Sequence, residues 1–344
     1  MEGASVKTTP EGKEDSISRG RRMLPEAITL GELLIDFVSI EKDVSLTDLP
    51  DFTGAAGGAP ANVAVGLARL GVSAGFIGKI GKDPFGEFLR RVLDGEGVDI
   101  ELLRVSEGAR TTLAFVATRS DGRKDICFYR NPGADTLLTA EEVNATYLKS
   151  ARLFHFGSVS LSRSPAREAT IHAAAVARGA GLLVSYDPNW RPTLWPDERE
   201  GKGRIWEAMA LADVVHCAAE EWEFITGTHD LEGGARKILE AGPRLVVVTL
   251  GERGCYYDDG ETRGEVAGFA VDVIDPLGAG DAFVAAMLSQ LMYAPKDRRM
   301  AGEQLREVMT YANAAGALTC TRRGVMPALP TGAQLEEFLG SRGG

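Results

Sequence analysis

Short apolar runs and amphipathic stretches alternate along most of the chain. The runs at 27–34, 74–80, 153–156, 181–185, 214–217 and 245–250 have the length and aliphatic content of buried strands. Between them, 61–70, 84–93, 165–178, 204–211, 231–241 and 301–319 repeat apolar positions at helical spacing. The stretch 282–288 also reads as a helix. Strands that alternate with helices imply right-handed crossovers and a largely parallel sheet covered on both faces. The expected class is α/β.

Two segments break the alternation. Residues 35–52 and 111–130 read as short strands with no helix between them. In the second, 112–118 and 125–130 are joined by Ser120-Asp121-Gly122-Arg123, an Asp-Gly hairpin signal. The two excursions predict a small β appendage from about 35–56 and 108–131. At the C-terminal edge of the main sheet it could cover a ligand. Residues 1–25 mix charges with Gly and Ser, lack an apolar signal core and read as a disordered tail. The folded domain is expected over 26–344.

Composition narrows the function more than the fold. A net charge of −11 argues against general affinity for nucleic acid or anionic membranes. No apolar run approaches the roughly 18–20 residues of a membrane span. Cys127, Cys217, Cys255 and Cys320 form no CxxC and each has apolar neighbours, so buried free thiols are expected. The four histidines lack metal-ligand spacing. A cytoplasmic protein is expected.

Candidate chemistry centres on Asp275-Pro276-Leu277-Gly278-Ala279-Gly280-Asp281 and the helix after it. Small residues leave backbone N–H groups uncovered, and the first N–H groups of a helix carry partial positive charge that suits an anion. Asp281, in the first turn, could take a proton from an attacking alcohol. The plainer alternative is an N-cap beside a turn.

Other segments carry similar pairs of readings. Ala56-Gly57-Gly58-Ala59-Pro60-Ala61-Asn62 opens a helix: either a turn, or backbone and amide offered to hydroxyls. Asp36, near the end of the first strand region, is either a solvated acid or an acceptor for two sugar hydroxyls. Asp187, Asn189 and Arg191 cluster after another strand, and Arg130 ends the second excursion. Each also reads as an ordinary polar strand end. Thr249-Leu250-Gly251-Glu252-Arg253-Gly254 is a strand-end turn, and the small residues around Asn313 suit close packing against a base or against another helix.

Together these segments resemble the pfkB, or ribokinase-like, family of carbohydrate kinases over roughly residues 27–340. Gly57–Asn62 looks like its N-terminal glycine signature and Asp275–Phe283 like its C-terminal one. Within the family the similarity is greatest to fructokinases, through Gly31-Glu32-Leu33-Leu34-Ile35-Asp36-Phe37-Val38, Phe128-Tyr129-Arg130-Asn131-Pro132-Gly133-Ala134-Asp135 and Tyr186-Asp187-Pro188-Asn189-Trp190-Arg191. The resemblance implies a Rossmann-like three-layer α/β/α body with a mostly parallel sheet and a small β-sheet lid. It implies ATP as donor, a sugar hydroxyl as acceptor, Mg²⁺, and K⁺ or Na⁺ beside the anion hole.

By the same resemblance Asp281 is the base, and Gly278, Ala279 and Gly280 form the anion hole. Asp36, Gly57, Gly58 and Asn62 hold the sugar. Arg130 closes from the lid, and Asp187 and Arg191 lie near the sugar–phosphate junction. Thr249, Gly251, Gly254 and Asn313 line the nucleotide. Asp275 serves the monovalent cation, and Glu221 serves Mg²⁺ through water. Three departures stand out: Pro276 and Leu277 replace two threonines, Ala218 replaces an Asn or Ser, and His216 replaces a Lys.

The expected activity is ATP-dependent phosphorylation of the 6-hydroxyl of D-fructose. Alternatives are a 2-keto-3-deoxygluconate kinase, in which Arg130 and Arg191 would meet a carboxylate, and a non-catalytic sugar-binding regulator. Exposed lid edges predict a homodimer through the lid.

Overall fold

In a computed structural model that describes residues 24–119, 124–294, 300 and 302–342, the alternating pattern becomes one large and one small sheet. The chain begins with β1 (Ala27–Leu30), leaves the large sheet for β2 (Leu34–Ser39) and β3 (Phe52–Gly57), then returns through α1 (Ala59–Arg69) and β4 (Ala74–Gly81). Next come α2 (Pro84–Gly95), β5 (Leu103–Ser106), and the strands β6 (Leu113–Thr118) and β7 (Lys124–Tyr129). The rest of the body is α3 (Ala145–Lys149), β8 (Leu153–Gly157), α4 (Ala166–Gly179), β9 (Leu183–Asp187), α5 (Glu198–Met209) and β10 (Val214–Ala218). It continues with α6 (Ala219–Thr226), α7 (Leu231–Glu240), β11 (Leu245–Thr249), β12 (Cys255–Asp258), β13 (Arg263–Val266), α8 (Ala279–Leu291), α9 (Gly302–Thr319) and α10 (Gly332–Gly340).

The large sheet has the order β13-β12-β11-β10-β9-β8-β1-β4-β5. It is parallel from β5 to β11, and β12 and β13 add antiparallel to its edge. Alternation along each strand feeds two cores. On one face Leu67, Phe76, Leu89, Phe283, Met287 and Met309 pack between the sheet and α1, α2, α8 and α9. On the other Phe154, Phe156, Tyr186, Ile205, Trp222 and Ile238 pack beneath α4 to α7. Each such side chain contributes roughly 1.5–3 kcal/mol of transfer free energy. The three-layer α/β/α architecture is therefore as expected.

The small sheet has the order β3-β2-β6-β7. Residues 120–123, the expected Asp-Gly turn, lie outside the described residues, as do residues 1–23 of the expected tail. At the tail's end, Pro25 already packs against the body, because a Cβ on Gly75 would lie 2.9 Å from Pro25 Cγ.

Several elements differ from expectation. The apolar run 27–34 is not one strand: it breaks at Gly31, where a Cβ would lie 2.5 Å from Pro60 Cγ, and its two parts enter different sheets. Short β5, β12 and β13 and helices α3, α6 and α10 were too brief or too weakly periodic to be anticipated. The thiols are not uniformly buried: Cys217 and Cys255 are, but Cys127 is exposed and Cys320 is partly exposed. Cys127 sits on β7, an edge strand of the small sheet, in register with Phe115. Among the described residues no helix is long and apolar enough to cross a membrane.

Candidate active site

Two helix N-termini meet at the centre of the site. Helix α8 starts after Gly278, which has φ 82° and offers no side-chain cap. A Cβ there would be strained and would lie 2.6 Å from Val325 Cγ1. Gly280 and Asp281 follow in the first turn, where backbone N–H groups have no intrahelical acceptor. Helix α1 starts after Gly58, and its Asn62 is buried. Asn62 Nδ2 donates to Asp281 Oδ2 at 2.7 Å across 219 residues of sequence. Both signatures therefore converge on one carboxylate.

The residues expected to hold the sugar gather where β2 and β3 leave the body. Gly57 has room for no side chain, since a Cβ would lie 1.9 Å from Asp36 Oδ2. Gly58 has φ 109°, and a Cβ on it would meet the Glu32 carbonyl oxygen at 2.3 Å. The buried Glu32 carboxylate accepts the Ala59 N–H at 3.1 Å through Oε1, while Oε2 has no hydrogen-bond partner. Burial pushes this carboxyl up to about 7. The local sequence around Glu32 marks no role for it. Its position under the glycine turn is visible only once the chain folds back.

Arg130 is buried and its donors are committed. Nε and Nη2 both reach Asp135 Oδ2 at 2.7 Å, and Nη1 donates to Ser162 Oγ at 2.8 Å. Asp135 also accepts the Thr112 hydroxyl. The arginine thus fastens the end of β7 to the body. Arg191, partly buried, donates Nη1 to the Trp190 carbonyl at 3.1 Å and acts on Asp187 at longer range.

Asp187, His216 and Thr249 form a chain across the ends of β9, β10 and β11. His216 Nδ1 lies 3.0 Å from Asp187 Oδ2, and its Nε2 lies 3.2 Å from Thr249 Oγ1. Burial pushes the Asp187 carboxyl up, but the charge and hydrogen bond of His216 outweigh it and hold the group below its ordinary range. Nearby Glu221, in the first turn of α6, accepts the Trp190 N–H at 2.6 Å and the Ala218 N–H at 2.9 Å. Burial, then the Asp187 charge, push it up to about 7.

Of the residues expected to line the nucleotide, Gly251 (φ 62°) and Gly254 (φ 97°) turn the chain after β11. A Cβ on Gly254 would lie 2.0 Å from the Val266 carbonyl oxygen. Asn313 Nδ2 donates to the Val266 and Ala267 carbonyls at 3.1 and 3.3 Å, so its amide holds the end of β13. Asp275 braces the loop before α8, accepting the Leu277 N–H at 3.0 Å and the Gly324 N–H at 3.1 Å.

The donors present limit how a metal could be held. Among the described residues no cluster of three or more His, Cys, Asp or Glu could hold an ion. Both Glu221 oxygens already accept backbone N–H groups, which suits contact with a phosphate-held Mg²⁺ through water and does not suit a protein cage. Both Asp275 oxygens are likewise engaged, so that residue fits shaping a carbonyl-lined cation loop more than direct ligation.

Comparison with known proteins identifies the family. The sequence model of the pfkB family carbohydrate kinases matches residues 25–332. The chain is 43% identical over 324 residues to fructokinase-1 of Zea mays, covering 94% of this chain and 99% of that one. A crystal structure of fructokinase with bound ATP from Xylella fastidiosa superposes with TM-score 0.81 at 32% identity, covering 92% of this chain and 99% of the other. A fructokinase from Vibrio cholerae with fructose, ADP and calcium ion bound gives TM-score 0.82 at 34% identity, over 91% and 99%. With its two signatures joined at Asp281, the chain belongs to the pfkB family of carbohydrate kinases.

Proposed function

We propose that this kinase transfers the γ-phosphoryl group of ATP to the 6-hydroxyl of D-fructose. The observation that carries the reading is Asp281 in the first turn of an uncapped helix, oriented by Asn62. Fructose is favoured by the fructokinase names of its relatives and by Arg130, whose charge is already matched by buried Asp135. A sugar acid would need that arginine for its own carboxylate.

Asp36, the Gly57–Gly58 backbone and Asn62 hold the sugar, and Arg130 fixes the lid that covers it. Asp281 takes the 6-hydroxyl proton as the oxygen bonds to the γ-phosphorus and the bond to ADP breaks. The growing negative charge falls on the N–H groups of 278–281, where aligned peptide dipoles stabilise it. Asp187 and Arg191 border the transferring group, and Thr249, Gly251, Gly254 and Asn313 border the nucleotide. Mg²⁺ neutralises phosphate charge when bound with ATP, and Glu221 would meet it through water. A K⁺ or Na⁺ ion in the Asp275 loop would add positive field beside the anion hole, without hydroxyls from Pro276 or Leu277.

The lid supports a homodimer. Phe37, Phe52, Phe115 and Tyr129 form one aromatic face, with ring centroids 5.1–5.3 Å apart around Phe115, and Tyr129 is 66% exposed. The outer edges of β3 and β7 are unpaired within the sheet. Four thiols, Cys127 among them exposed, suit a reducing setting such as the cytoplasm. Release of ADP on adding fructose to enzyme and Mg-ATP tests the activity.

A further inference from the structure

The chain Asp187–His216–Thr249 is not accounted for by the transfer step alone. His216 is 3% exposed and touches a residue on each side of the reaction. Adjacent parallel strands set this up. In register, Val215 pairs with Tyr186 and Ala218 with Thr249, so His216 lies level with Asp187 and just short of Thr249. Phe283 of α8 packs against the ring at 5.6 Å.

The charged surroundings are acidic. Asp187 touches the ring from β9, Glu221 faces it from α6 and Asp281 from α8. His155 on β8 faces it too, but burial pulls that imidazole down to about 4, so it is neutral. Arg191 acts on Asp187 only at longer range, and no Lys or Arg among the described residues hydrogen-bonds Asp187. A buried carboxylate without a partner cation is costly, and the imidazole is the group placed to supply one.

We propose that His216, as the imidazolium, is a positioning residue that turns the Thr249 hydroxyl outward to donate to a nucleotide phosphate. The inference rests on the kinase reading of the site. The argument is a count of protons. Both ring nitrogens of an imidazolium donate: Nδ1–H to Asp187 and Nε2–H to Thr249 Oγ1. The threonine hydroxyl proton is then available to a phosphate oxygen. When the ring is neutral, Nδ1–H stays with ionised Asp187 and Nε2 becomes an acceptor. The threonine proton turns inward to it, and the nucleotide loses a donor. Burial pulls the imidazole down, but the Asp187 charge and hydrogen bond, with Glu221 and Asp281 behind, hold it above its ordinary value. The outward hydroxyl is therefore present at low pH and lost as pH rises through the folded-state value.

The test is the Kd for Mg-ATP by calorimetry from pH 6 to 9.5, together with nitrogen-15 NMR titration of His216. For the wild type, Kd should rise about tenfold as the ring loses its proton, the scale of one charge-assisted hydrogen bond. Thr249→Val should bind at the weak level throughout, with no pH limb that follows the ring. His216→Lys should stay at the tight level to higher pH. A limb that persists in Thr249→Val, a pH-independent wild-type Kd, or a ring already neutral at pH 6 would each overturn the proposal. The NMR arm needs no variant. Kd for Mg-ATP is measured without sugar, so absent fructose turnover would count against the substrate alone. No nucleotide binding at any pH would remove the kinase reading as well.

Discussion

Asn62 and Asp281, from the first turns of α1 and α8, meet at 2.7 Å through Nδ2 and Oδ2. This bond fixes where the carboxylate points before any ligand arrives. Asn62→Ala removes the donor and exposes Asp281 to other rotamers. A buried hydrogen bond to a charged group contributes about 1.5–3 kcal/mol. The expected result is a fall in kcat of about 10–100-fold, with KM for ATP little changed, in steady-state assays of the variant.

Asp281→Asn keeps the size of the side chain and removes the proposed base. Turnover should fall by roughly three orders of magnitude or more. The Tm by differential scanning fluorimetry should stay within about 2 °C, because the exchange at a helix first turn disturbs no packing. Retained turnover would place the base elsewhere.

Gly57→Ala puts a methyl 1.9 Å from Asp36 Oδ2. The carboxylate must move from its place beside the glycine turn. KM for fructose should rise at least about tenfold, consistent with a loss of at least about 1.4 kcal/mol, while Kd for Mg-ATP stays near the wild-type value. Equal damage to both would mean that the turn serves the whole site.

Glu32 links stability to pH. Burial raises its carboxyl to about 7 from an ordinary 4.5. Between these values the folded state holds the proton more tightly than the unfolded state, so stability falls as pH rises through that window. The full shift corresponds to a loss on the order of 3 kcal/mol by pH 8. Glu221, also raised to about 7, acts in the same direction. Glu32→Gln keeps an acceptor for the Ala59 N–H and cannot ionise. Its Tm should exceed that of the wild type at pH 8 and lose that advantage at pH 5. An unchanged difference between the two pH values would show that Glu32 does not titrate.

Much of this was legible before folding. The 3.6-residue spacing of α1, α4 and α9 and the aliphatic runs of β4, β10 and β11 identify the layered body. The glycines before Asn62 and Asp281 mark both helix starts. Other features depend on contacts no local pattern encodes. The run 27–34 reads as one strand because nothing in it shows that Pro60 crowds Gly31. Arg130 also reads as an ordinary polar strand end because Asp135 becomes its buried partner only when the chain turns back. His216 looks like a mere substitution until β9 and β11 flank it.

The most direct test of the account is ADP release by the purified enzyme with Mg-ATP. D-fructose would be compared with 2-keto-3-deoxygluconate, ribose and adenosine, with and without K⁺, for wild type and Asp281→Asn. Turnover confined to fructose and abolished in Asp281→Asn is the predicted result. Turnover on the sugar acid in place of fructose, or on no sugar at all, would contradict it.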